Sequence, residues 1–176
     1  MNIFLIGFRC CGKTTVGKRL QELLSREFID ADDYLENKFQ VSIKDIFDMK
    51  GESYFRMLES DVISELSKLD GKIIATGGGA VLKYKNIHNL KRSGVIILLD
   101  VDAETVFQRM KGQDNVSKQR RPRFSDKELF EEIKDQLRIR RPYYENTADY
   151  IVNTVGRDVN EVITEIEAFL REQMLW

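Results

Sequence analysis

Gly7-Phe8-Arg9-Cys10-Cys11-Gly12-Lys13-Thr14, with Thr15 behind it, is the stretch from which the fold is read. It fits G-x-x-x-x-G-K-[ST], a loop whose backbone N–H groups surround phosphate oxygens while its lysine neutralises charge and its hydroxyl reaches Mg²⁺. The flanks agree with that reading. Asn2 to Ile6 is a short apolar run of the kind a buried parallel strand makes, and Val16, Leu20, Leu23 and Leu24 recur at helical spacing. The order is strand, glycine loop, helix. Cys10, Cys11, Gly12, Lys13, Thr14 and Thr15 are therefore the residues expected around a bound polyphosphate.

A chain of 176 residues with 42 % hydrophobic content fits one domain, residues 1–176, with a core of its own. Lys and Arg number 28 against 29 Asp and Glu, a net charge of −1, without the basic excess of a nucleic-acid binder or a block of like charge. No basic leader precedes the first strand and no run approaches a membrane span, so a cytoplasmic protein with no membrane or nucleic-acid partner is expected. The only cysteines, Cys10 and Cys11, are neighbours, which makes an ordinary disulfide between them geometrically implausible. A thiol near Lys13 and a helix N-terminus could be reactive, but filling the loop with small residues is the plainer role. A single histidine, His88, cannot build a zinc site with cysteines so distant.

Apolar stretches alternate with amphipathic ones along the whole chain, the signature of a parallel sheet covered by helices. A short second strand, Glu27 to Ile29, ends at Asp30-Ala31-Asp32-Asp33. Ser42 opens a helix to Met49 with Asp45 in capping-box position, Gly51 closes it, and a longer helix runs from Tyr54 to Leu69 with Phe55, Leu58, Val62, Leu66 and Leu69 inward. Lys72 to Thr76 is a third strand, followed by a helical stretch at Asn86 to Arg92. Val95 to Leu99 is a fourth strand and Asp102 to Met110 a helix. Lys111 to Phe124 is polar and lacks an apolar period, which reads as a loop. A helix from Asp126, a weak strand at Tyr150 to Val152 and a final helix with Val159, Val162, Ile163, Ile166, Phe169 and Leu170 on one face complete the chain.

In open α/β sheets ligands bind outside the carboxyl ends of the strands. The glycine loop, Asp30 with Asp32, Gly77-Gly78-Gly79 and Asp100 all fall there. Asp30 and Asp32 lie two residues apart, so in an extended chain their carboxylates share a side. Two anions repel a polyphosphate unless a cation lies between, which favours Mg²⁺ held by Thr14 and phosphate oxygens with one carboxylate nearby. The other carboxylate is then free to accept a proton from an attacking hydroxyl. Simple helix capping is the competing reading, since Asp33 with Glu36 makes a capping-box pattern. Gly77, Gly78 and Gly79 let backbone N–H groups approach a substrate closely. In the helix from Asp126, Phe130, Ile133, Leu137, Arg140 and Tyr144 follow the spacing of an inward face. Arg140 thus stands where an apolar residue belongs, and its partner is either a substrate carboxylate or an internal acid. Arg56 borders the buried stripe of its own helix, with Glu52 at i−4 as a ready alternative partner. Lys118, Arg120, Arg121 and Arg123 cluster beside Pro122, in the manner of a loop that folds over a γ-phosphate and supplies an arginine; a solvated basic loop is the alternative.

Taken in order, these motifs resemble shikimate kinase. The resemblance runs through G-F-x-x-x-G-K-T at Gly7 to Thr14, Asp30-Ala31-Asp32, Gly51-Glu52-x-x-Phe55-Arg56-x-x-Glu59, Thr76-Gly77-Gly78-Gly79, Arg121-Pro122 and Arg140-x-Pro142-x-Tyr144. It implies a three-layer α-β-α fold of P-loop kinase type with a five-stranded parallel sheet, a substrate-binding helical region at about 33–60 and a lid at about 112–124. It also implies transfer of the ATP γ-phosphate to the 3-hydroxyl of shikimate with Mg²⁺ as cofactor; a monomer is expected. Carried over by position, Lys13 stabilises the transferring phosphoryl group, Thr14 ligates the metal and Asp30 helps hold it. Asp32 orients or deprotonates the attacking hydroxyl. Arg56 and Arg140 hold the carboxylate, Gly77, Gly78 and Gly79 line the substrate, Arg121 reaches the phosphates and Arg157 lies against adenine. Arg120 and Arg123 are interchangeable with Arg121 at this level. Cys10 stands where the family usually has glycine, so its backbone is expected to avoid conformations that only glycine tolerates. Other acceptors, such as gluconate or a nucleoside monophosphate, and a nucleotide-gated regulator without turnover are the alternatives.

Overall fold

The computed structural model describes residues 1–113 and 126–173. Five strands, β1 (Asn2–Ile6), β2 (Phe28–Asp30), β3 (Ile73–Ala75), β4 (Gly94–Asp100) and β5 (Tyr150–Asn153), form one sheet in the order β2-β3-β1-β4-β5. Every neighbouring pair is parallel, with Leu5 of β1 level with Ala75 of β3 and Ile97 of β4. The helices are α1 (Lys13–Leu24), α2 (Ala31–Phe39), α3 (Ile43–Leu66), α4 (Tyr84–Ser93), α5 (Ala103–Gln113), α6 (Asp126–Thr147) and α7 (Val159–Glu172), with a 3₁₀ turn at Ala80–Leu82. This is the parallel sheet covered by helices that the alternation foretold, in the three-layer form that the resemblance implied. Every residue of β1 is buried, as is the run Val95 to Leu99, because helices cover both faces of the sheet. Asn2 is the one polar residue of β1, and its amide is paired at both ends, donating to Leu69 O (2.7 Å) and accepting from Lys72 N (2.9 Å).

Several local expectations are corrected. Leu23 is exposed rather than part of the α1 stripe; Gly17 is buried instead, where an added Cβ would fall 2.1 Å from the Phe28 ring. The second and third helical segments join into α3, which bends at Gly51, whose φ of 77° takes a left-handed turn that a residue with a Cβ adopts only at a cost. Ser42 caps α3 by accepting from Asp45 N, as its spacing foretold. The helix stops at Leu66, so Leu69 lies beyond it and is exposed. Lys111, Gly112 and Gln113 continue α5 rather than begin a loop; the rest of the expected lid, with Lys118, Arg120, Arg121 and Arg123, lies outside the described residues. At the far end, Asp158 and Glu161 form a reciprocal capping box that starts α7. Among the described residues no helix is long and apolar enough to cross a membrane, and His88 sits exposed on α4.

Candidate active site

The carboxyl edge of the sheet gathers the candidate residues as follows. The glycine loop leaves β1 at Gly7, where a Cβ would sit 2.6 Å from Leu99 O, so only glycine lets the loop pass β4. It ends at Gly12, whose φ of 105° turns the chain into α1 and presents the helix N-terminus to an incoming anion. Lys13 curls back over the loop, its Nζ donating to Gly7 O (2.9 Å) and Phe8 O (2.8 Å). Cys10 departs from expectation: its φ is 59°, a left-handed conformation that costs a side-chain-bearing residue about 1–2 kcal/mol. The carbonyl of that residue is held by Arg109 of α5, which donates Nη1 to Cys10 O (3.1 Å) and Nη2 to Thr154 O (3.0 Å). Burial pushes the Cys10 thiol above its ordinary pKa, against the pull of Arg9 and Lys13, so it stays protonated and is no ready nucleophile.

Thr14 donates its hydroxyl to Asp30 Oδ2 (2.9 Å). Asp30 is the last residue of β2 and also the N-cap of α2, accepting from Asp32 N at 3.1 Å. Helix therefore begins at Ala31, earlier than expected, and the idea that Asp30 and Asp32 share a side of an extended chain does not hold. They meet the cleft differently, one from a strand end and one from the first turn of a helix. The Asp33/Glu36 box does not form either; Glu36 accepts from Ile43 N (2.8 Å) and fixes the α2–α3 turn. Hard oxygen donors at Thr14 and Asp30 suit Mg²⁺, which keeps water and substrate phosphates among its ligands and needs no all-protein cage.

Two of the three glycines after β3, Gly77 and Gly79, make room for side chains. A Cβ on Gly77 would lie 2.5 Å from Glu59 Oε1 and 3.0 Å from Asp32 Oδ1, and one on Gly79 would lie 2.2 Å from Arg56 Nη1. Gly78 faces the loop, with its Cβ position 3.5 Å from Arg9 N and 3.6 Å from Gly7 O. Its carbonyl accepts from Arg140 Nη1 (3.3 Å) and from the Tyr144 hydroxyl. Burial drives the Tyr144 phenol well above its usual pKa, so it remains a donor. Inward-facing Arg140 is half-buried, with its guanidinium carbon 5.5 Å from the centre of the Phe8 ring.

Arg56 donates Nη1 to Glu59 Oε2 (2.8 Å) and Nη2 to Glu52 Oε1 (3.0 Å). Its side chain is 14 % exposed, against 4 % for Glu59 and 63 % for Glu52. Burial holds the Glu59 carboxyl above the ordinary carboxylate range despite the opposing pull of Arg56. Sequence reasoning gave Glu59 no role. Its signal was an acid one residue from Leu58 on a buried helical stripe, the same signal that singled out Arg140. Arg109 was missed too, and nothing in its local pattern marks it. Asp100 is taken by Arg141 (2.7 Å), a tie between β4 and α6. Arg157 is engaged by Glu165, Asn153 O (3.1 Å) and Glu161 O (2.9 Å), folded against the start of α7.

Comparison with known proteins places this geometry. The family model for shikimate kinase matches residues 9–171. A shikimate kinase from Symbiobacterium thermophilum is 38 % identical over 173 residues, 98 % of each chain, and one from Persephonella marina is 39 % identical over 170 residues, 97 % of this chain and 99 % of its own. Among solved structures, a shikimate kinase from Acinetobacter baumannii in complex with shikimate superposes with a TM-score of 0.89 at 34 % identity, covering 99 % of this chain and 95 % of that one. With the family pattern running nearly end to end in both sequence and backbone, the chain belongs to the shikimate kinase family.

Proposed function

We infer that the protein is an ATP-dependent kinase that phosphorylates shikimate at its 3-hydroxyl. The observation that carries this reading is the meeting of two cationic groups at one point of the sheet edge. Lys13 rests on Gly7 O, Arg140 rests on Gly78 O, and the Cβ position of Gly78 is 3.6 Å from Gly7 O. A phosphate donor over the glycine loop and a carboxylate held by Arg140 are thereby brought to neighbouring places.

Phosphoryl transfer asks the protein mainly for positioning and charge neutralisation. Lys13 exchanges the loop carbonyls for phosphate oxygens and follows the charge of the moving phosphoryl group. Thr14 and Asp30 would hold Mg²⁺, which when bound would neutralise phosphate charge. Asp32 orients the acceptor hydroxyl and accepts its proton as the new bond forms. Arg56 and Arg140 fix the acceptor's carboxylate, with Glu59 setting the Arg56 fork and the helical region 33–60 enclosing the acceptor. Arg121 is the arginine that the family motif assigns to the phosphates. We take the enzyme to be a cytoplasmic monomer of one domain.

Coupled ADP release with ATP, Mg²⁺ and shikimate tests the reading, with gluconate and AMP as rival acceptors and excess chelator as the metal control. Turnover with shikimate that the chelator abolishes is the expected result. Turnover with gluconate or AMP but not shikimate, or none at all, overturns it. The glycines give a second test. Gly79→Ala forces the end of the Arg56 side chain aside, since the new Cβ would stand 2.2 Å from Nη1. The KM for shikimate should rise about tenfold or more while the KM for ATP stays put; equal changes in both would show that Gly79 does not serve Arg56.

A further inference from the structure

The third residue of the glycine loop is one that the family motif leaves open, and here it is Arg9. Its side chain turns away from the phosphate cradle and pairs with α6, Nη2 lying 3.2 Å from Glu132 Oε1, with 18 % and 27 % of the two side chains exposed. Gln136, one turn along α6, donates Nε2 to the same carboxylate oxygen (2.6 Å) and so holds it toward the loop. The Arg9 guanidinium carbon is also 5.5 Å from the centre of the Phe8 ring, the ring against which Arg140 of α6 rests at the same distance. Arg9 Nε is enclosed and, among the described residues, has no hydrogen-bond partner. With Nε enclosed and Nη2 engaged by α6, most of this side chain is packed into the wall.

Phosphoryl transfer requires the donor phosphate and the acceptor oxygen to be held within a few tenths of an ångström of line. In this chain the donor is cradled by the loop, while α6 carries Arg140, the acceptor's anchor, and Tyr144. Loop and helix are 123 positions apart in sequence, so their separation is fixed only by tertiary contacts. We propose that Arg9 and Glu132 form a positioning pair that sets the distance between the phosphate loop and α6, and with it the alignment of the two substrates. Arg9 touches neither substrate and acts through Glu132; Gln136 steadies the pair.

The inference rests on the kinase reading above, and steady-state kinetics of the full chain separates the two. Arg9→Met and Glu132→Gln are each expected to lower kcat about tenfold, since a misalignment approaching 1 Å costs up to about 10²-fold, with KM for ATP and shikimate within about threefold of the wild type. The double variant should be no worse than the poorer single one, because both break one link. Arg9→Lys, which keeps the charge, should recover kcat to within about threefold. Glu132→Asp keeps the charge but shortens the reach, and an intermediate kcat with an unchanged unfolding midpoint supports the role even where a more drastic variant folds poorly. A loss with Arg9→Met but none with Glu132→Gln means that Arg9 acts on the phosphates directly and overturns the proposal. So do additive losses in the double variant, or losses confined to KM. A wild-type protein inert toward shikimate overturns the kinase reading itself, and the inference with it.

Discussion

Asp32→Asn is expected to lower shikimate-dependent ADP release about 10²- to 10⁴-fold, the range for removing a positioned general base. Its fold should survive. The α2 cap uses the side chain of Asp30 and only the backbone N–H of Asp32, so asparagine leaves that hydrogen bond in place. Nucleotide binding should also survive, because the Thr14 hydroxyl is held by Asp30 and the Lys13 ammonium by the loop carbonyls. The signature is thus a loss in kcat with an unaltered ATP affinity, read by coupled assay beside nucleotide titration. Unimpaired turnover in this variant would remove Asp32 from the reaction and leave the acceptor hydroxyl without a base.

Arg140→Ala should fall in a different parameter. Truncating one partner of a desolvated charge pair costs about 2–5 kcal/mol, so kcat/KM for shikimate should drop about 10²- to 10³-fold with most of the change in KM for that substrate. Arg140→Lys should recover little of it. A lysine presents one point charge where the guanidinium offers a planar fork, and it stacks less well on the Phe8 ring at 5.5 Å. Varying shikimate at saturating ATP checks both variants, and an ordinary KM in either one excludes Arg140 from the carboxylate site.

The part of this molecule that could be read from the chain is the part carried by periodicity. The apolar runs Asn2 to Ile6 and Val95 to Leu99 announced central parallel strands, and the glycine spacing announced the loop between β1 and α1. Arg140 was found because a helix face is a regular object, and a charge on its inner side is an anomaly that needs an explanation. Asp30 and Asp32 were assigned to the site by an argument about an extended chain, whereas the helix starts at Ala31. Capping competed with extension there, and capping won. Gly77 and Gly79 were read as places for backbone to meet substrate, yet what crowds them is the side chains of Glu59, Asp32 and Arg56, which arrive from α2 and α3. Arg109 with Cys10 O and Arg9 with Glu132 are also contacts between distant segments, and no local pattern records such a meeting. Cys10 shows the limit from the other side: its left-handed backbone follows from the loop as a whole, whatever the residue would prefer.

Arg56 has both sides of its fork already in use, one by Glu59 and the other by Glu52. Glu59 is enclosed and stays; Glu52 lies on the surface and can swing into water. On the proposed reading, an acidic acceptor seated on Arg56 would enter by swapping places with a carboxylate of the protein, and its affinity would measure the difference between two similar anions on one cation. A neutral polyol has nothing to offer in that swap. On that reading the resting contact with Glu52 would act as a gatekeeper, one that screens acceptors by charge before any hydroxyl group is inspected.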